Sequence, residues 1–128
     1  MEIVWTGDKI TFYKPANADT NLEKFQDRIT ENVWLTRENN GPLVNKAPGA
    51  IGCDPGNVKM AYGLVANRAN LTFSDCMEKL EGSMLKELAG KDVVFYLVTD
   101  DIYLDVHFVS WSSQSSGGQF SYERSTPN

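Results

Sequence analysis

The sequence predicts an all-β protein, an antiparallel β-sandwich of jelly-roll type with about eight strands. Three observations carry this. Short runs rich in β-branched and aromatic residues recur along the chain, and turn-forming clusters (TGD, NNGP, DPGN, TDD, SSGG) punctuate them. The run TDDIYLDVHFVSW, residues 99–111, alternates apolar and polar residues with the period of two that a half-buried strand requires.

The first strands are EIVW (2–5) and KITFYK (9–14), followed by RITENVWLT (28–36) read as one run. Residues 39–57, NNGPLVNKAPGAIGCDPGN, are rich in Gly, Pro and Asn and lack periodicity. They read as a long loop, of the kind that serves binding or assembly. VKMAYGLV (58–65) and NLTFS (70–74) are two further strands. In DCMEKLEGSMLKELAG (75–90), Met77, Leu80, Met84, Leu85 and Leu88 fall near helical period and Gly90 suits a helix end. This predicts one short helix near 77–89, broken near Gly82 and docked on the sandwich by its apolar face.

DVVFYLVT (92–99) is apolar on both faces and so predicts a central strand. TDD then makes a hairpin to the next strand, its turn started by the Asp100 side chain bonding its own backbone. In that strand Ile102, Leu104, Val106 and Phe108 form the core row, with Tyr103, Asp105, His107, Val109 and Trp111 opposite. QFSYERS (119–125) is the last strand, and the terminal RSTPN is frayed or begins a linker.

With 128 residues, residues 1–128 make one domain, long enough to bury roughly two thirds of its unfolded surface. Seventeen acidic against twelve basic residues give a net charge of −5, with no basic stripe, which argues against nucleic acid as a partner. No apolar run is long enough for membrane insertion as a helix. No charged segment followed by an apolar stretch opens the chain, so the protein is either cytosolic or has lost a signal peptide upstream.

Cys53 and Cys76 lack metal spacing, and His107 is the chain's one histidine, so a zinc site is not expected. The cysteines are either a disulfide or two buried thiols. His107 is also the one histidine base for a serine or cysteine nucleophile, and no G-x-S-x-G elbow is present. Asp101 and Asp105 offer a carboxylate pair of the sort glycosidases use, in a chain with little room for subsites. Asp100 and Asp101, with Asp75 or Asp54, offer oxygen ligands for calcium, the one cofactor considered; ordinary turn chemistry is the alternative. Trp5, Trp34, Tyr103 and Trp111, with Asp105 and His107 beside them, are the candidate ligand-binding set, a stacking platform for a glycan if exposed and core if buried.

Four blocks, WTGDKITFYKPANAD, QDRITENVWLTR, TDDIYLDVHFVSW and GGQFSYERSTP, together resemble an uncharacterised β-rich domain of secreted and surface bacterial proteins. The resemblance covers about half the chain, both ends but not the middle, and implies placement outside the cell, often beside other modules. Asp27, Arg28, Asn32, Trp34, Arg37, Asp100, Asp101, Asp105, Trp111, Tyr122 and Arg124 fall on its motif positions. Their alternating charges suggest cross-strand ion pairs, with Asp105 facing Arg28 or Arg124.

The resulting expectation is a non-catalytic module, secreted or on the cell surface, for surface structure, adhesion or self-assembly with a protein partner or its own copies. The alternative is a carbohydrate-binding module or lectin, calcium-dependent if the TDD tip holds the ion.

Overall fold

The computed structural model describes residues 2–80, 87–113 and 116–128. Nine strands form two sheets: β1 (Ile3–Trp5), β2 (Ile10–Lys14), β3 (Asp27–Thr30), β4 (Val33–Arg37), β5 (Leu43–Asn45), β6 (Val58–Tyr62), β7 (Asp92–Leu97), β8 (Ile102–Trp111) and β9 (Phe120–Arg124). The large sheet runs β2-β9-β8-β7-β6, antiparallel throughout, and the small sheet runs β3-β4-β5. β1 joins the large sheet as its parallel exception, pairing Ile3 with Ile102 and Trp5 with Leu104. Strand content, antiparallel pairing and the near absence of helix among the described residues establish the all-β sandwich.

The core lies between the sheets. Leu35 and Leu43 face it from the small sheet, and Met60, Phe95, Leu97, Leu104, Phe108 and Phe120 from the large one, each 0% exposed. Burying side chains of this size stabilises by about 1.5–3 kcal/mol apiece. As its two-faced apolarity predicts, β7 is central, with β8 on one side and β6 on the other. Asp101 takes the left-handed conformation (φ 55°) in the β7–β8 turn. The Asp100 side chain does not bond its own backbone there; it reaches the small sheet instead.

Local chemistry explains the other departures. The run 28–36 is two strands, because Thr30 Oγ1 accepts from the Asn32 N–H at 3.1 Å and closes a turn. Inside the predicted loop, Leu43 buries its side chain and makes β5 the edge of the small sheet. The run 58–65 ends as a strand at Tyr62, where Gly63 (φ 138°) turns the chain onto the outer face of the large sheet. Residues Val65–Asn70 form a 3₁₀ turn there, and of the predicted strand 70–74 one bridge, Met60 to Ser74, is formed.

The helix expected near 77–89 begins as a 3₁₀ turn, Met77–Lys79, and Leu80 is already extended. Met77 and Leu80 are both buried, and the Met77 N–H donates to the Asp54 carbonyl at 3.0 Å. Residues 81–86 of that prediction lie outside the described residues.

Candidate functional site

The outer row of β8 starts as the alternation predicts, with Tyr103, Asp105 and His107 half-buried on the outer face of the large sheet. A β-bulge between Phe108 and Ser110 then inserts one residue against β9. Val109 is left exposed, and Trp111 turns to the core side, 9% exposed and packed on Phe108 and Phe120. The expectation that Trp111 shares a face with Tyr103 is therefore corrected by the bulge.

The remaining candidates disperse as well. Trp5 follows the register of Leu104 into the core, also 9% exposed. Trp34 stands on the small sheet beneath the Arg28 guanidinium, 3.8 Å from the ring centroid, with Arg28 its cross-strand neighbour. The six proposed ligand-binding residues thus occupy three places, and no platform unites the tryptophans.

Asp105 faces neither Arg28 nor Arg124. Its Oδ1 accepts from the Val65 N–H at 2.8 Å and holds the Val65–Asn70 turn against the sheet. Arg124 instead meets Asp27, both buried between the sheets. His107 Nδ1 lies 2.9 Å from Asp92 Oδ1 on a strand neighbour, a contact partly open to solvent.

Asp100 accepts from Thr30 Oγ1 at 2.7 Å and from Asn32 Nδ2 at 3.0 Å, so its carboxylate ties the hairpin tip to the β3–β4 turn. Asp101 accepts from the Tyr96 hydroxyl at 2.9 Å. That hydrogen bond holds the Asp101 carboxyl below its usual range and pushes the Tyr96 phenol up to about 12. Among the described residues no group of three or more His, Cys, Asp or Glu side chains gathers as for a metal ion.

Cys53 and Cys76 are joined in a disulfide, with Cα atoms 5.4 Å apart. It pins the end of the long loop, which Asn45 organises from the other side. Asn45 Oδ1 accepts from the Trp34 and Ala47 N–H groups at 2.8 and 3.0 Å, and Nδ2 donates to the carbonyls of Asn32 and Gly56. Asn57, in the left-handed conformation (φ 60°), accepts from Thr99 Oγ1 at 2.9 Å and joins the loop to the β7–β8 end.

Between this loop and the large sheet lies a groove of about 830 Å³, lined among others by Ile51, Cys53, Lys59, Phe73, Asp75 and Val98. Ile51 is 80% exposed at its mouth and Val98 is 40% exposed. Lys59 and Asp75 pair at 3.5 Å along its side. Phe73 continues into an aromatic row, edge-on to Tyr103, which stacks on Tyr96 at 4.4 Å between ring centroids. The arrangement offers apolar and aromatic contact area with charges at the rim, which suits recognition. Comparison with family models, curated proteins and solved structures yields no match to this chain.

Sequence reasoning pointed to the long loop but missed the residues that shape it. Asn45 and Asn57 do so by side-chain hydrogen bonds to distant backbone, which leave no periodic trace in the sequence. No helix among the described residues is long and apolar enough to cross a membrane.

Proposed function

We propose that this domain is a non-catalytic module of the extracellular surface that makes protein contacts, its own copies included, through the groove between the pinned loop and the large sheet. The observation that carries this reading is Ile51, 80% exposed on a loop held by the disulfide and by Asn45 and Asn57. An apolar side chain presented on a fixed loop needs little further ordering on binding, which favours contact. The disulfide supports an oxidising compartment, in line with the resemblance to secreted and surface domains. It also engages both cysteines, so neither serves as a nucleophile in this state.

The test is light scattering across a concentration series. The wild-type chain is expected to assemble as concentration rises and Ile51→Asp to stay monomeric with an unchanged circular dichroism spectrum. A wild-type chain that remains monomeric throughout overturns the self-contact reading.

A second reading, glycan recognition, is favoured by the Phe73–Tyr103–Tyr96 row beside the groove. It predicts a fluorescence response to oligosaccharides that Tyr103→Ala removes. Calcium belongs to this reading, and Asp100 and Asp101 would ligate it through carboxylates that already accept from Thr30, Asn32 and Tyr96.

A further inference from the structure

Three cations are buried among the described residues, and they are treated differently. Arg124 has the carboxylate of Asp27. Arg37, 0% exposed, lies 3.7 Å from the centroid of the Trp111 ring and donates to the carbonyls of Gly41 and Gln119 at 2.8 and 2.9 Å, while its Nη2 has no partner. Lys14, also 0% exposed, donates from Nζ to Asn39 Oδ1 at 2.7 Å and to the carbonyls of Gly118 and Gly117 at 2.9 and 3.4 Å. Neither Lys14 nor Arg37 hydrogen-bonds a carboxylate.

We propose that Lys14 and Asn39 become joined by a side-chain amide bond that links the two sheets covalently. The amine of Lys14, after giving up a proton, attacks Asn39 Cγ. The Nζ–Cγ bond forms, the Cγ–Nδ2 bond breaks, and Nδ2 leaves as ammonia, which takes up the released proton and departs as ammonium. Atoms and charge balance with no oxidant, reductant or second molecule.

Three features of the site support the step. Nζ is already in contact with the amide it attacks, so the encounter is intramolecular. Burial, reinforced by the charge of Arg37, lowers the hold of Lys14 on its proton and so favours the nucleophilic amine. Glu38, the residue before Asn39, is the carboxylate whose charge bears on Lys14; it acts in the opposite sense, strengthening the hold on the proton, and its Oε1 is shared with Lys46 at 2.8 Å, so burial and Arg37 outweigh it. The reaction also exports one of two buried like charges to water, whereas an unpaired buried charge is costly. The Gly118 carbonyl, 2.9 Å from Nζ, is the acceptor at hand for the new amide N–H.

The placement matters mechanically. Lys14 ends β2, an outer strand of the large sheet, and Asn39 follows β4, the middle strand of the small one. A covalent staple there would resist peeling of β2 under load. This inference is independent of the groove and of what it binds.

The experiment is intact mass of the reduced, denatured 128-residue chain followed by a tryptic map. The wild-type chain is expected to be about 17 Da lighter than its sequence requires, one ammonia lost. Peptides 10–24 and 38–46 should then appear as one cross-linked species, since trypsin passes over the Lys14–Pro15 bond. Lys14→Arg and Asn39→Ala should each return the full sequence mass. A wild-type chain of full mass overturns the proposal. So does a loss confined to peptide 38–46, which marks ring closure at Asn40–Gly41 instead.

Discussion

Arg124 holds Asp27 with two parallel hydrogen bonds, Nε to Oδ2 at 2.7 Å and Nη2 to Oδ1 at 3.0 Å, across the interior of the sandwich. Tyr122 donates to the same Oδ2 at 2.6 Å, so β9 of the large sheet grasps β3 of the small one twice. Removing one partner of a buried pair leaves a charge without compensation. Asp27→Ala is therefore expected to lower stability by about 3–5 kcal/mol. Tyr122→Phe, which leaves the ion pair intact, should lower it by about 1–3 kcal/mol. Urea unfolding of both variants checks this, and equal losses would refute the ion pair as the main tie between the sheets.

Asp100 makes a second tie, at the opposite end from Lys14. Its two oxygens accept from Thr30 and Asn32, which fastens the β7–β8 tip to the β3–β4 turn. Asp100→Ala should cost about 1–3 kcal/mol, the range for hydrogen bonds to a charged acceptor in a partly buried setting. Amide exchange should quicken at residues 30–32 and 99–101 while the core of β7 stays protected. A variant with unchanged exchange at the tip would show that the contact carries no weight.

The disulfide closes a loop with a sequence separation of 23. In the chain-entropy account such a closure stabilises by about 3 kcal/mol. The hydrophobic cluster contains neither cysteine, so the paired variant Cys53→Ser with Cys76→Ser should keep its strand spectrum and melt at a lower temperature. Binding through the groove should weaken more than overall stability does, because Ile51 rides on the released loop. Loss of the strand spectrum itself would mean the loop is needed for folding rather than for contact.

The parts of this fold that a reader of the sequence can see are those written in periodicity. The β7–β8 hairpin follows from DVVFYLVT and from the alternating run after it, and the core row Ile102, Leu104, Val106, Phe108 is buried throughout. The bulge at Val109 is invisible to a pattern of two, because it consists of breaking that pattern. One inserted residue moves Trp111 from a supposed ligand platform into the core. Charges were harder still. Asp27, Arg37 and Arg124 suggest cross-strand ion pairs in sequence but not which partners meet, Lys14 carries no such signal, and burial becomes legible only once the second sheet covers them. The candidate site depended on loop geometry, which Asn45 and Asn57 impose from outside the groove itself.

Tyr96 supplies a pH test of the hairpin turn. Its hydroxyl donates to Asp101 at 2.9 Å, and this bond, more than burial, raises the phenol from 10.0 to about 12. A group whose folded pKa is raised contributes stability that is present in full below its unfolded value and lost as pH climbs through the folded one. Between pH 10 and about 12 the unfolded chain sheds this proton while the folded chain keeps it, so wild-type stability should fall across that window. Arg37, lowered by burial to about 10, acts in the opposite sense over an overlapping range, because the unfolded chain retains its proton longer. The net wild-type curve mixes these with Tyr122, whose phenol burial raises well above 10.0, and with Lys14, which burial lowers, so the comparison that isolates the turn is Tyr96→Phe against wild type. The variant should be less stable than wild type at neutral pH, with the gap narrowing from pH 10 to 12. Urea midpoints at matched pH values measure it, and a gap that stays constant across the window would remove the Tyr96–Asp101 bond from the account of the turn.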